Sequence, residues 1–185
     1  MKINDKWLIS PSQQVNSIAI VLLNSNFSSL TKEEVLKQKN WYDSEIKQLD
    51  QNDSVRLIIV GCHHSPFTNS KLVRSSVPVQ IQFLPAFFSS PKCKLFVSGH
   101  AHAFEHFRRS GKDFVTIGGG GGLTHPLNKD NRMEDLCCEY KPAFHYITVR
   151  VREDTLHVLS HRLKYDFTGF EDGYNFNVKL DAAFK

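Results

Sequence analysis

Two apolar runs constrain the fold before any other feature is considered. Residues 17–23 (SIAIVLL) and 55–60 (VRLIIV) are apolar on nearly every residue and rich in β-branched side chains. Continuous apolarity over so short a length is the pattern of strands covered on both faces, as in parallel sheets. Between the runs, Thr31 and Glu34 have the spacing of a capping box, which predicts a helix over 32–51. Val35, Tyr42, Ile46 and Leu49 share one stripe of that helix, with lysines and glutamates opposite. Strand, helix, strand is a βαβ unit, so a parallel pairing is expected.

Further along, residues 79–88 predict a helix that starts at Pro78 and is interrupted at Pro85. Short strands are expected at 95–98 and 114–117. Residues 144–151 and 156–163 should form a hairpin turning at Glu153 and Asp154. The expected organisation is one partial domain over 1–185, with its core in 17–163 and an unplaced tail from 164 to 185.

The chain has 185 residues, of which 41% are hydrophobic and 14 are Phe, enough for a packed core. Its net charge of +4 comes from scattered residues rather than a basic run, so no nucleic-acid partner is expected. No apolar run reaches the ~18 residues of a membrane span, so no membrane partner is expected either. Cys62, Cys93, Cys137 and Cys138 show no CxxC spacing. They read as thiols in a reducing setting, which favours a cytoplasmic location.

The unusual residues sit where strands end. Gly61-Cys62-His63-His64 closes one strand, Gly99-His100-Ala101-His102 the next, and Gly118 to Gly122 the one after. In open α/β sheets, sites form beyond the carboxyl ends of strands, so these segments should converge. Imidazole is the commonest metal ligand. Alone, either histidine pair could be incidental. The glycine run lacks the Lys-Ser/Thr of a phosphate-binding P-loop. It reads either as a plain turn or as chain passing close beneath a crowded site. A single zinc held by Cys62, His64, His100 and His102 is a further possibility.

The order GCHHSP, GHAHAFEH, GGGGG over residues 17–122 resembles the second half of calcineurin-like metallophosphoesterases, the purple acid phosphatase branch in particular. There, a strand ends in H-x-P, the block G-H-x-H-x-Y-E-R follows, and a G-x-G-G comes one strand later. The helix with Lys39-Asn40-Trp41-Tyr42 is also family-like. The resemblance implies an α/β fold: the C-terminal half of a four-layer αββα sandwich with a mixed sheet. It implies hydrolysis of phosphate esters by hydroxide activated at two metal ions, which would be Fe, Mn or Zn. Carried over by position, His64 and His100 would bind one metal and His102 the other. His63 has no fixed counterpart in the family and would either contact substrate phosphate as the candidate catalytic residue or merely flank the site, and Glu105 would support the ligands from behind. His106 stands where the family has Arg.

The family's first half carries D-x-H, G-D-x-x-D and G-N-H-[DE], and none of these occurs in this sequence. Two dipositive ions about 3.5–4 Å apart repel by on the order of 20 kcal/mol at an effective dielectric near 20. Neutral imidazoles bring no charge to offset that. The chain is therefore expected to be inactive alone, with an N-terminal half supplied by another chain. The alternative is a non-catalytic binding or scaffold module that keeps the phosphoesterase fold. Without the other half, the strands at 17–23 and 55–60 should lack apolar cover.

Overall fold

In a computed structural model, residues 17–128, 133–137 and 142–180 are described, preceded by the backbone of three short strands. Those strands are β1 (Lys2–Ile3), β2 (Lys6–Trp7) and β3 (Ser12–Val15). Cys138 and the tail beyond residue 180 lie outside the described residues.

The βαβ unit forms as its sequence dictates: β4 (Ile18–Leu23), α1 (Lys32–Gln51) and β5 (Leu57–His64), with β4 and β5 parallel. The capping box is complete. Glu34 N–H donates to Thr31 Oγ1 at 3.2 Å, and Thr31 N–H donates to a Glu34 carboxylate oxygen at 2.7 Å. The buried stripe of α1 is Gln38, Tyr42, Ile46 and Leu49, so a glutamine takes a place that Val35 was expected to hold. Burial of that amide is compensated by the backbone of Asn24. Asn24 N–H donates to Gln38 Oε1 at 2.8 Å, and Gln38 Nε2–H donates to Asn24 O at 2.9 Å.

Next come α2 (Val77–Ser89) and β6 (Cys93–Gly99). Helix α2 runs unbroken through Pro85, where an interruption was expected. Proline removes the hydrogen bond to the carbonyl four residues back. That residue, Ile81, is exposed, as is Pro85, so water can meet the orphan carbonyl.

Strands β7 (Phe104–Arg109) and β8 (Lys112–Ile117) form a hairpin. Its two-residue turn, Ser110-Gly111, has positive φ at both positions (51° and 72°), the geometry that hairpin twist requires. The main sheet has the order β3-β4-β5-β6-β8-β7. Strands β4, β5, β6 and β8 are parallel, and the two edges are antiparallel. Three further strands, β9 (His145–Arg152), β10 (Thr155–Leu163) and β11 (Phe170–Lys179), make a separate antiparallel meander. Glu153 and Asp154 turn the first hairpin, as expected.

The layers are helix, sheet, sheet. On one face of the main sheet, Ala19, Val21, Ile58, Val60 and Phe96 pack against Tyr42 and Ile46 of α1 and Phe83 and Phe87 of α2. On the other, Leu57, Ile59, Leu95, Phe104 and Val115 pack against Leu156, Val158, Phe176 and Val178 of the meander. The fold is thus mixed α/β with a parallel and antiparallel sheet and two helices.

The expectation of two uncovered strands holds for only one flank. Leu57 to Val60 are buried, because the meander covers the face that α1 and α2 do not. Three strands cannot cover six, however. Leu22 on β4 stays 48% exposed and lines an open groove of ≈ 550 Å³ with Ile20, Val97 and Ile117. Among the described residues, no helix is long and apolar enough to cross a membrane.

Candidate metal centre

The structure places His63 and His64 within the last residues of β5, not in a loop beyond it. A register shift between Cys62 and His64, opposite Ser98 and Gly99 of β6, marks a bulge. Bulges re-aim side chains at sheet ends. Ser65 then joins the two histidine-bearing strands by donating its hydroxyl to Gly99 O at 2.6 Å. His100 follows directly, in the left-handed region at φ 61°. For a residue with a Cβ this is uncommon backbone, and such strain concentrates at functional sites.

The outcome is a three-imidazole group. Ligand-capable nitrogens of His63, His64 and His100 all lie within 4.8 Å of one another. His63 Nε2 is 3.2 Å from His100 Nδ1. Two nitrogens bound tetrahedrally at 2.0–2.1 Å from a zinc ion would be about 3.4 Å apart, close to the His63–His100 separation. Three histidines with an open fourth position are also a known zinc donor set. Burial, followed by the charge of His63, lowers the pKa of His64. Burial, followed by the charges of His64, His63, His102 and His125, lowers that of His100. Both shifts favour the neutral, ligating form. The ring of His64 is oriented by Ser25, whose Oγ lies 2.9 Å from its Nδ1, leaving Nε2 as the donor for an ion.

His102 stands beside this group rather than in it. Its ring stacks on His125 at 4.5 Å between centroids, and its Nδ1 lies 2.8 Å from Leu123 O. Glu105 is fully buried. Its carboxylate accepts the Thr68 hydroxyl at 2.5 Å and Asn69 N–H at 2.7 Å, and so fixes the loop after β5. Burial raises its pKa to about 7. Cys62 does not join the imidazoles. Its thiol donates to His64 O at 3.2 Å, and burial pushes its pKa to about 12. That weakens the single-zinc arrangement built on Cys62. His106 is buried between the sheets, with Nε2 2.8 Å from Asp113 and Nδ1 3.0 Å from the Tyr174 hydroxyl.

Ser25, His125 and His145 belong to the neighbourhood but carried no signal of their own in sequence. The glycine run explains His145, and packs against His102 as well. A Cβ on Gly122 would lie 2.0 Å from His102 Cε1, and one on Gly119 would lie 2.2 Å from the His145 ring. His145 is buried, donates from Nδ1 to Ala143 O at 2.9 Å, and accepts Gly119 N–H at Nε2 at 3.3 Å. The run therefore passes tightly beneath two imidazoles.

Among solved structures, the chain is similar to GAP50, the anchor in the inner membrane complex of Plasmodium. The TM-score is 0.71 at 16% identity, over 90% of this chain and 50% of that one. It is also similar to a dimetal phosphatase from Danio rerio, with TM-score 0.51 at 13% identity over 89% and 58% of the two chains. The chain thus spans only about half the length of either structure. No protein-family model and no curated protein sequence matches it. At these identities the likeness establishes the fold, which is metallophosphoesterase-like, and nothing finer.

Proposed function

We propose that this chain carries the histidine part of a metal-dependent phosphoesterase site. The observation that carries the reading is the convergence of His63, His64 and His100, from two strand ends, to within 4.8 Å. In this reading the three imidazoles hold one divalent ion. Such an ion, when bound, supplies Lewis acidity toward a phosphoryl oxygen. The chain's own contribution is to fix the ligands: Ser25 orients His64, Ser65 ties β5 to β6, and Glu105 holds the loop between them. The group contains imidazoles alone, so retention of a second ion needs carboxylates brought by other structure. The open flank at Leu22, Val97 and Ile117 adjoins His63 and is where such structure would seat.

A second reading, a scaffold that keeps the fold without the chemistry, is favoured by that lack of negative charge. Fold likeness to a protein described as an anchor is compatible with it. Calorimetric titration with zinc, with manganese as a second probe, tests the first reading. One ion per chain is expected, lost in His64→Ala and His100→Ala, with no turnover of an aryl phosphate by the chain alone. Absence of binding, or binding indifferent to both substitutions, would favour the scaffold.

A further inference from the structure

The meander stops short of the main sheet it covers. Strand β9 is its outer strand, paired with β10 on one side and, among the described residues, with no strand on the other. Backbone polar groups alternate in direction along an antiparallel strand. Phe144 O accepts Leu163 N–H at 2.8 Å on the β10 side, while His145 N–H turns the other way, to Gly119 O at 3.1 Å. By that alternation the N–H and C=O groups of Ile147, Val149 and Val151 lie on the open edge. Their side chains join the core between the sheets but are only partly buried. Leu156, Val158, Phe176 and Val178, their counterparts on β10 and β11, are buried. Past the edge, the main sheet continues uncovered. Val97 and Ile117 belong to the same cluster as the β9 side chains, and they also line the groove with Ile20, Leu22 and His63.

We infer that the open edge of β9 and the groove beside it accept an extended segment of a partner chain as a fourth strand of the meander. The segment runs antiparallel to β9, alternates apolar residues on its groove side, and carries carboxylates at its C-terminal end. The edge groups select a strand over a helix or loop, because only extended backbone pairs with every second residue of β9. The groove selects the alternation, since successive side chains of a strand face opposite ways. Direction follows from where β9 begins. His145 lies beside Gly119, just past the carboxyl end of β8, so a strand antiparallel to β9 ends on the side of the sheet that holds His63. Charge selects the carboxylates. The three imidazoles bring no negative charge of their own, and acidic groups complement an ion held there. The role of the carboxylates rests on the phosphoesterase reading above; the strand addition rests on the edge and the groove alone.

The probe is an amidated synthetic peptide as long as β9, alternating valine with lysine and ending in aspartate. Added to the metal-free chain, it should slow amide hydrogen exchange at Ile147, Val149 and Val151. Tyr146, Thr148 and Arg150, whose N–H groups face β10, should not change. Val149→Pro removes one outward N–H and leaves the β10 ladder intact, so peptide affinity should fall about tenfold. Leu22→Lys keeps the edge and puts a charge in the groove, and should weaken binding too. No protection on adding peptide, protection without the alternation, or affinity equal to the parent in either variant overturns the strand addition. Protection that appears on concentrating the chain without peptide overturns the choice of occupant and gives the edge to a second copy. On zinc-loaded protein, the aspartate peptide should bind more tightly than one ending in asparagine, and equal affinity overturns the role of the carboxylates. If the chain binds no zinc, the phosphoesterase reading fails, and the exchange data on metal-free protein still decide the strand addition.

Discussion

Ser25 Oγ holds His64 twice: it accepts the backbone N–H at 2.9 Å and lies 2.9 Å from ring Nδ1. One hydroxyl, from the loop after β4, thereby sets both the backbone and the ring of a candidate ligand. Losing such a partner typically weakens metal affinity about 10–100-fold. Ser25→Ala is expected to reduce zinc affinity at least ~10-fold while lowering stability by only about 1 kcal/mol. Zinc calorimetry beside a urea melt separates the two effects. Affinity equal to the parent would show that packing, not Ser25, orients the ring.

Gln38 is the counterpart of Ser25 one step further back, since it fixes Asn24, the residue before Ser25. Replacing it with Leu leaves one donor and one acceptor of the half-buried Asn24 backbone without their partner. Each orphan costs about 1–3 kcal/mol, so Gln38→Leu should lose on the order of 2–4 kcal/mol. The check is the urea midpoint at constant slope. A loss below ~0.5 kcal/mol would mean that water replaces the amide there.

Glu105 should make stability depend on pH. Its folded pKa, about 7, lies above the ordinary 4.5 because of burial, so the native state binds the proton more tightly than the unfolded one. Its contribution is complete below the unfolded value and is lost as pH rises through 4.5 to about 7. At about 1.4 kcal/mol per pH unit the total is on the order of 3 kcal/mol. The lowered pKa values of His64, His100, His125 and His145 act in the opposite sense, weakening the fold as pH falls below 6.5. The difference between parent and Glu105→Gln isolates the carboxyl. Melts from pH 5 to pH 8 should move increasingly in favour of the Gln variant, and a constant difference would refute the assignment.

Leu22 offers a surface test. Exposed apolar side chains that line a groove promote association. Leu22→Lys is therefore expected to reduce light scattering at high protein concentration, with stability changed by no more than ~0.5 kcal/mol. A parent chain that stays monomeric throughout the concentration series would refute the flank as a self-associating surface.

Much of this architecture was legible because local chemistry and burial agree. The βαβ unit, the Thr31 cap and the 153–154 turn all follow from residues that act within their own segment. Strand β7 was hidden because FEHFRR carries charge on a strand whose residues Phe104 to Phe107 are all buried. Its Ser-Gly turn was the readable sign. Strand β11 could have been placed from the alternation of Phe176, Val178 and Leu180. The site was legible only as a set of histidines. Grouping His63 with His64 and His100, and setting His102 against His125, depends on a bulge and on loop contacts between residues far apart in sequence. Burial of Gln38 and Glu105 could not be read either, because it depends on backbone partners that only the folded chain brings near.

The glycine run has a practical side. Its five residues look interchangeable, yet Gly119 and Gly122 are pressed against imidazole rings, while Gly120 and Gly121 have no atom within 4 Å of a built Cβ. Both of the latter are exposed. The tract is a pair of clamps with a two-residue gap between them. That gap is an attachment point: a cysteine at position 120 could carry a fluorophore or spin label close to the histidines without displacing any of them, giving an optical or magnetic reporter of what arrives there.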